Sequence, residues 1–243
     1  MTFPDGLFRP PFAHRGLWRP GDAPENSLAA FGHACEAGYG IELDVRLSSD
    51  GEAVVFHDET LERMTGQPGF VWEQSASELT GLRFLDGPGC IPTLAQTLEL
   101  IAGRAMLLVE IKDPPPGGVL QERVATLLDR YDGPACVISF DAGALAWFAE
   151  HRPDRLRGLD AQWISDQEIA ASGDGRLRAG FEAHVHEARP HFLGLEVESA
   201  MGAIAAQHRA NGLAVVAWTV RSVEQAARVA EHCDNFIFEG FTA

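Results

Sequence analysis

Apolar, β-branched runs recur eight times along this chain: PFAHR (11–15), GIELDVRL (40–47), MLLVEIK (106–112), ACVISF (135–140), RLRGLDA (155–161), HFLGLEV (191–197), LAVVAWTV (213–220) and NFIFEG (235–240). Between them lie segments of helical character at about 25–37, 93–103, 118–131, 141–151, 165–172, 199–211 and 222–232, with Asn26, Thr93, Asp141, Ser199 and Ser222 as N-cap candidates. Strands alternating with helices imply a parallel sheet, because joining parallel neighbours takes a crossover long enough to hold a helix. Eight such units predict an α/β fold, a TIM (β/α)8 barrel.

A ninth apolar run, AVVFHD (53–58), follows the second strand after only SSDG. So short a link makes a hairpin and not a crossover. Residues 46–58 are therefore expected to rise as a β-hairpin and bring His57 back toward Glu42 and Asp44. Residues 59–92 hold TG, QPG, TG and GPG in succession and read as an excursion, a lid or small insertion, with one short helix near 75–81. The stretch 172–190 is expected to hold one or two short helices. No internal repeat, low-complexity tract or linker divides residues 1–243, so a single domain is the expectation.

At 243 residues with 46% hydrophobic content, the chain has material for one sizeable core. Its net charge of −16 disfavours nucleic acid and anionic membrane surfaces as partners, and an anionic substrate would need a local cation. The sequence contains no uninterrupted apolar run of roughly 18 residues, and MTFPDGLFRPPF lacks the basic start and apolar middle of a signal peptide. A cytoplasmic protein without stable membrane association is expected. Cys35, Cys90, Cys136 and Cys233 are dispersed without a CxxC pair and read as reduced, mostly buried small hydrophobes.

Charged residues sit at the ends of these apolar runs. Residues two apart on a strand share a face, so Glu42 with Asp44, and Glu110 with Lys112, can converge. Buried charges must be paired or bound to metal. His14 and Arg15 follow the first run. Taken in order, HRG (14–16), PENSLAAF (24–31), GIELDVRLSSDGEAVVFHDETLERMTG (40–66), IPTL (91–94), LLVEIK (107–112) and AWTV (217–220) resemble the glycerophosphodiester phosphodiesterase family. The first 66 residues are the specific part; from 113 onward the similarity is mostly strand pattern.

The resemblance implies a TIM barrel with its site at the C-terminal strand ends, a divalent metal, and hydrolysis of a small-molecule glycerophosphodiester to glycerol 3-phosphate and an alcohol. Glu42, Asp44 and Glu110 match the family's metal positions, and their hard oxygens suit Mg²⁺ or Ca²⁺. Without a cation they would instead be salt-bridge partners of Arg15 and Lys112. His14 and His57 match the catalytic pair, since imidazole titrates near neutrality. Arg15 and Lys112 supply cations for phosphate, and Trp218 lines the pocket or plugs the barrel. Glu25 and Asn26 are expected to open the first helix and to make supporting contacts to Arg15 or the metal ligands. Asp58 orients His57 or caps the hairpin, and Glu196 is a candidate by strand position.

One departure concerns the end of the sequence. The family commonly closes its last strand with a Thr-Asp-x-Pro-like turn and a helix, whereas this sequence reads FIFEGFTA, so the eighth outer helix is expected to be missing. Residues 1–10 or a homo-oligomer would then cover that side. Two other activities fit the same residues. One is lysophospholipid cleavage, with Phe70, Val71, Trp72, Leu79, Leu82, Phe84 and Leu85 offering an acyl groove. The other is a non-catalytic phosphate-ester binder, which would have no use for a paired acid and base.

Overall fold

The computed structural model describes residues 9–112, 116–162, 164–173 and 175–243. Residues 1–8, part of the segment expected to cover the barrel side, lie outside them. The nine strands among the described residues belong to one hydrogen-bonded sheet, and the class is the expected one, α/β with the TIM (β/α)8 topology. The chain divides into two compact units, residues 13–135 and residues 136–243 with the start of the chain up to Phe12.

The expected first strand shortens to β1, Phe12–Ala13, which leaves His14 and Arg15 in the turn beyond it. In the unit 13–135 the sheet runs β3-β2-β4, from β2 (Gly40–Leu47), β3 (Ala53–Val55) and β4 (Leu107–Ile111). β2 and β4 pair in parallel from Ile41↔Leu107 to Val45↔Ile111. β3 returns antiparallel with Val45↔Val55 and Leu47↔Ala53, which is the hairpin expected from SSDG. Period two sends Ile41, Leu43 and Val45, all fully buried, to one face and Glu42, Asp44 and Arg46 to the other. The excursion is more ordered than its turn-rich sequence suggests. It holds helical turns at Glu62–Thr65, Val71–Glu73 and Ala76–Leu79 where one was expected. Leu61, Val71, Leu79, Phe84 and Ile91 build a core with Val54 and Phe56 of the hairpin, and Met64 and Leu82 pack against it. Burying these side chains stabilises the segment by roughly 1.5–3 kcal/mol for each large one.

In the other unit β5 (Ala135–Ser139), β6 (Arg157–Ala161), β7 (Phe192–Glu196), β8 (Ala214–Val220) and β9 (Asn235–Phe238) follow one another as parallel neighbours. Gly158 is needed on β6 because a Cβ there would stand 2.2 Å from the ring of Phe192, its neighbour on β7. The segment 172–190 forms one helix, Arg176–Ala188.

Two N-cap expectations fail. Ser27, not Asn26, caps the first helix, Leu28–Ala37, by accepting from the Ala30 amide; Asn26 sits before it at φ 55°. Ser199 lies inside a short helix, Val197–Ala200, and accepts from the Ile164 amide, while the following helix, Ala203–Ala210, starts after Gly202. In both cases the side chain of the expected cap serves a tertiary contact instead. Thr93, Asp141 and Ser222 cap their helices as expected. Cys136 and Cys233 are buried, Cys35 and Cys90 half-buried, and none is in a disulfide. Among the described residues no helix follows β9, and none is long and apolar enough to cross a membrane.

Candidate active site

The acidic cluster is assembled by two strands. Asp44 on β2 pairs in register with Glu110 on β4, and Glu42 precedes Asp44 by two residues on the same face. Ligand-capable atoms of Glu42, Asp44 and Glu110 all lie within 4.8 Å of one another, and all three residues are buried. Lys112, two residues beyond Glu110, reaches back with its Nζ 2.8 Å from Glu110 Oε1 and 3.2 Å from Asp44 Oδ1.

The HRG turn delivers a second cation. Gly16 closes it with its amide on the Ala13 carbonyl, at φ 81°, where a Cβ would stand 2.9 Å from both Ala30 and Phe31. Only glycine allows this approach to the first helix. Arg15 is held at φ 57°, its amide donating to Glu42 Oε2 at 3.0 Å. Its Nη1 donates to Glu25 Oε1 at 2.7 Å, and its Nε lies 3.5 Å from Asp44 Oδ2. His14 Nε2 stands 4.0 Å from Glu42 Oε2. Asn26 spends its side chain on Asp44, donating through Nδ2 to Oδ2 at 2.7 Å and accepting from the Asp44 amide at 3.3 Å.

The hairpin delivers His57. The Phe56 amide donates to the Asp44 carbonyl, and Arg46 Nε donates to the His57 carbonyl at 2.7 Å, so the backbone on both sides of the histidine is tied to β2. On the imidazole, Nδ1 lies 2.8 Å from Asp58 Oδ1. Arg63, from the excursion, grips Asp58 and Glu25 together. Its Nε lies 2.5 Å from Asp58 Oδ2 and its Nη2 2.6 Å from Glu25 Oε1.

Charge is unevenly matched here. Burial, reinforced by the charges of Asp44 and Glu110, pushes the Glu42 carboxyl well above its usual range. Burial also raises Glu110, to about 7, against the pull of Lys112. Asp44 goes the other way: burial alone would raise it, but Lys112 and Arg15 hold it low. Lys112 is raised by Asp44 and Glu110 although burial opposes this. His57 is lowered by burial, with Lys112 and Arg15 adding to the effect and Asp44 opposing it. Glu42 Oε1 is buried with no hydrogen-bond partner. A buried carboxylate oxygen without a donor, in a trio of hard oxygens short of positive charge, is the environment a divalent cation fits.

Ten of the sequence-derived candidates, His14, Arg15, Glu25, Asn26, Glu42, Asp44, His57, Asp58, Glu110 and Lys112, lie in the unit 13–135 and form this connected set. Trp218 and Glu196 belong to the other unit. They are register partners on β8 and β7, and the Trp218 ring stands edge-on to Phe140 with centroids 5.4 Å apart. Two contributors escaped the sequence reading. Arg46 was within reach of it, since it continues the period-two face of Glu42 and Asp44. Arg63 gave no such signal, because its contacts cross 38 residues to Glu25.

Comparison with known proteins identifies the family. Residues 14–233 match the model of the glycerophosphoryl diester phosphodiesterase family. A glycerophosphodiester phosphodiesterase of Bacillus altitudinis is 37% identical over 156 residues, 58% of this chain; the alignment spans 62% of that relative's length. The Bacillus subtilis protein YhdW is 30% identical over 228 residues, covering 89% of this chain and 88% of its own. An Oleispira antarctica phosphodiesterase solved with its product sn-glycerol-3-phosphate shares the fold at a TM-score of 0.80 and 24% identity, over 97% of this chain and 94% of that one. A glycerophosphodiester phosphodiesterase from Thermotoga maritima gives 0.70 at 26% identity, over 95% and 94%.

Proposed function

This chain belongs to the glycerophosphoryl diester phosphodiesterase family, a family of phosphodiester hydrolases, and on that premise we propose that it hydrolyses glycerophosphodiesters to glycerol 3-phosphate and an alcohol. The observation that supports this most is the buried trio Glu42, Asp44 and Glu110, meeting within 4.8 Å beside two cations and two histidines. The product bound by the Oleispira relative is of the same chemical class.

In this reading Glu42, Asp44 and Glu110 hold a divalent cation, Mg²⁺ or Ca²⁺. When bound, it supplies neutralisation of the phosphate charge. Arg15 and Lys112 add positive charge where the oxygens of the five-coordinate phosphorus carry negative charge. With Nδ1–H of His57 donating to Asp58, the imidazole presents Nε2 as a proton acceptor for the nucleophile, water or the glycerol's own 2-hydroxyl. As the new O–P bond forms and the ester O–P bond breaks, His14 gives its proton to the leaving alkoxide; attack by water yields glycerol 3-phosphate directly, and attack by the 2-hydroxyl yields a cyclic phosphate that water then opens to it. Glu25, Asn26 and Asp58 hold the acting groups in place, residues 59–92 serve as a lid, and a single catalytic domain over residues 1–243 belongs to the same reading. A cytoplasmic setting, with exposed apolar surface shielded between copies, belongs to the same reading.

Release of glycerol 3-phosphate from glycerophosphocholine and glycerophosphoethanolamine, with and without chelator, tests it. Metal-dependent release is the expected result; no turnover of any phosphodiester by metal-replete protein would favour a phosphate-ester binder. A second reading, lysophospholipid cleavage, draws on the excursion's outer side, where Phe70 and Trp72 stack at 4.5 Å and Leu85 is exposed. Val71, Leu79 and Phe84 are committed to the excursion's own core and are not available to an acyl chain. Faster cleavage of lysophosphatidylcholine than of glycerophosphocholine would select that reading.

A further inference from the structure

One polar side chain beside His57 comes from the excursion and bridges two carboxylates. The guanidinium of Arg63 makes two forked contacts at once. Toward Asp58 its Nε lies 2.5 Å from Oδ2 and its Nη2 3.0 Å from Oδ1; toward Glu25 its Nη1 lies 3.0 Å from Oε2 and its Nη2 2.6 Å from Oε1. Each carboxylate has a second partner that matters to the chemistry. Asp58 Oδ1 also receives His57 Nδ1 at 2.8 Å, and Glu25 Oε1 also receives Arg15 Nη1 at 2.7 Å. Arg63 is thus the shared neighbour of the group that orients the imidazole and the group that orients the HRG arginine.

Its own position is fixed from below. Arg63 lies in the short helix Glu62–Thr65, whose flanking Leu61 is 1% exposed and packs in the same cluster as Phe56, the residue before His57, with Met64 against that cluster. The Met64 carbonyl accepts from the Leu85 amide, and the Thr65 hydroxyl donates to the Leu61 carbonyl. A side chain on so anchored a turn holds its fork in one place.

We propose that Arg63 is a positioning residue for hydrolysis: by clamping Asp58 it sets the ring orientation and Nδ1–H tautomer of His57, and by clamping Glu25 it sets the direction of the Arg15 guanidinium. This rests on the hydrolase reading above and adds to it a role for the excursion. A planar five-donor fork can satisfy two carboxylates simultaneously, whereas an ammonium cannot, so lysine is a poor substitute here. If the pairs were only surface decoration, removing them would leave turnover unchanged.

The test is steady-state hydrolysis of glycerophosphocholine by R63Q, R63A and R63K beside wild type and H57A, with the thermal midpoint of each. R63Q and R63A are expected to lose kcat by about 10- to 100-fold, the usual range for groups that orient acting residues, with KM changed by less than about threefold. R63K is expected to recover little of that loss, and added guanidinium ion to restore part of the R63A rate where ammonium does not. D58N combined with R63Q is expected to cost less than the product of the two single effects, because both act in part through the same imidazole. Wild-type turnover with an inactive H57A but R63Q and R63K within twofold of wild type overturns the role of Arg63 and leaves the hydrolase reading standing. So does a change confined to KM. An H57A variant as active as wild type removes His57 from the mechanism and this role of Arg63 with it, while a wild type with no turnover overturns the hydrolase reading itself. If R63A does not fold, R63K and R63Q carry the same comparison.

Discussion

Two sets of carboxylates stand close together in the unit 13–135 and behave in opposite ways. The inner set, Glu42, Asp44 and Glu110, is buried on the strands and shares Lys112 and Arg15; Glu42 and Glu110 are pushed up, first by burial and then by their acidic neighbours. The outer set, Glu25 and Asp58, lies in loops around the strand ends; burial pushes these up too, but hydrogen bonds from Arg63, with Arg15 and His57 adding, hold both low. The difference is one of matching. Glu25 and Asp58 share the Arg63 fork and are held ionised by it; the three inner carboxylates share Lys112 and an Arg15 that also serves Glu25, and they are short of positive charge. In the proposed reading a divalent cation completes the inner set, whereas the outer set has its partners within the chain.

The largest effects are therefore expected at the inner end. H57A and H14A should each lower kcat for glycerophosphocholine by about 10²- to 10⁴-fold, the range for a general acid or base. Chelation should abolish turnover, and readdition of Mg²⁺ or Ca²⁺ should restore it. Near-normal rates in either histidine variant would remove that residue from the mechanism. Full activity in excess chelator would mean that Lys112 and Arg15 suffice for the trio, and the contrast between the two sets would fail.

Much of this was legible in the residue order because strands obey a rule of two. GIELDV and LLVEIK declare which side chains share a face, and the four-residue SSDG link can only be a hairpin, so the pairs Glu42/Asp44 and Glu110/Lys112 and the approach of His57 followed from spacing, while the gathering of the three carboxylates came with the family resemblance. What stayed hidden was set by tertiary geometry. Asn26 looks like an N-cap because its side chain can accept from helix amides; it bonds Asp44 instead, and Ser27 takes the cap. Ser199 likewise turns to the Ile164 amide. The helical turns of residues 59–92 are too short for periodicity to show, and with them went Arg63, whose partners lie 5 and 38 residues away.

A smaller effect separates the sets by pH. Glu110 titrates at about 7 in the folded protein, above its ordinary 4.5. A raised value means that its contribution to stability is present in full below about 4.5 and is lost as pH rises through about 7. Glu25 and Asp58 are lowered, so their contribution is present above their ordinary range and is lost as pH falls below it, through their lowered folded-state values. Between about pH 5 and about pH 8, metal-free wild type should therefore lose stability relative to E110Q, by an amount on the order of a few kcal/mol. Adding Mg²⁺ or Ca²⁺ at the higher pH should stabilise wild type far more than E110Q. Denaturant midpoints at the two pH values check this, and a difference between the proteins that does not move with pH would show that Glu110 has its charge fully matched without a metal.

Salt should give the smallest effect and the sharpest contrast. The Arg63 side chain is 48% exposed, so its pairs with Glu25 and Asp58 are reached by mobile ions, whereas the Lys112 pairs with Asp44 and Glu110 are sheltered at 13% exposure. Exposed ion pairs contribute about 0–1 kcal/mol and are screened as the Debye length shrinks to about 3 Å near 1 M salt. R63Q should then cost about 1 kcal/mol or less in urea unfolding at about 0.05 M salt and distinctly less at about 1 M, while the stability change in E110Q should hardly respond. The kcat loss in R63Q should persist at both salt concentrations, because the role of the fork is geometric: screening weakens the attraction but supplies nothing else to hold Asp58 against His57. A turnover defect that vanished along with the stability defect would reduce Arg63 to an ordinary surface charge.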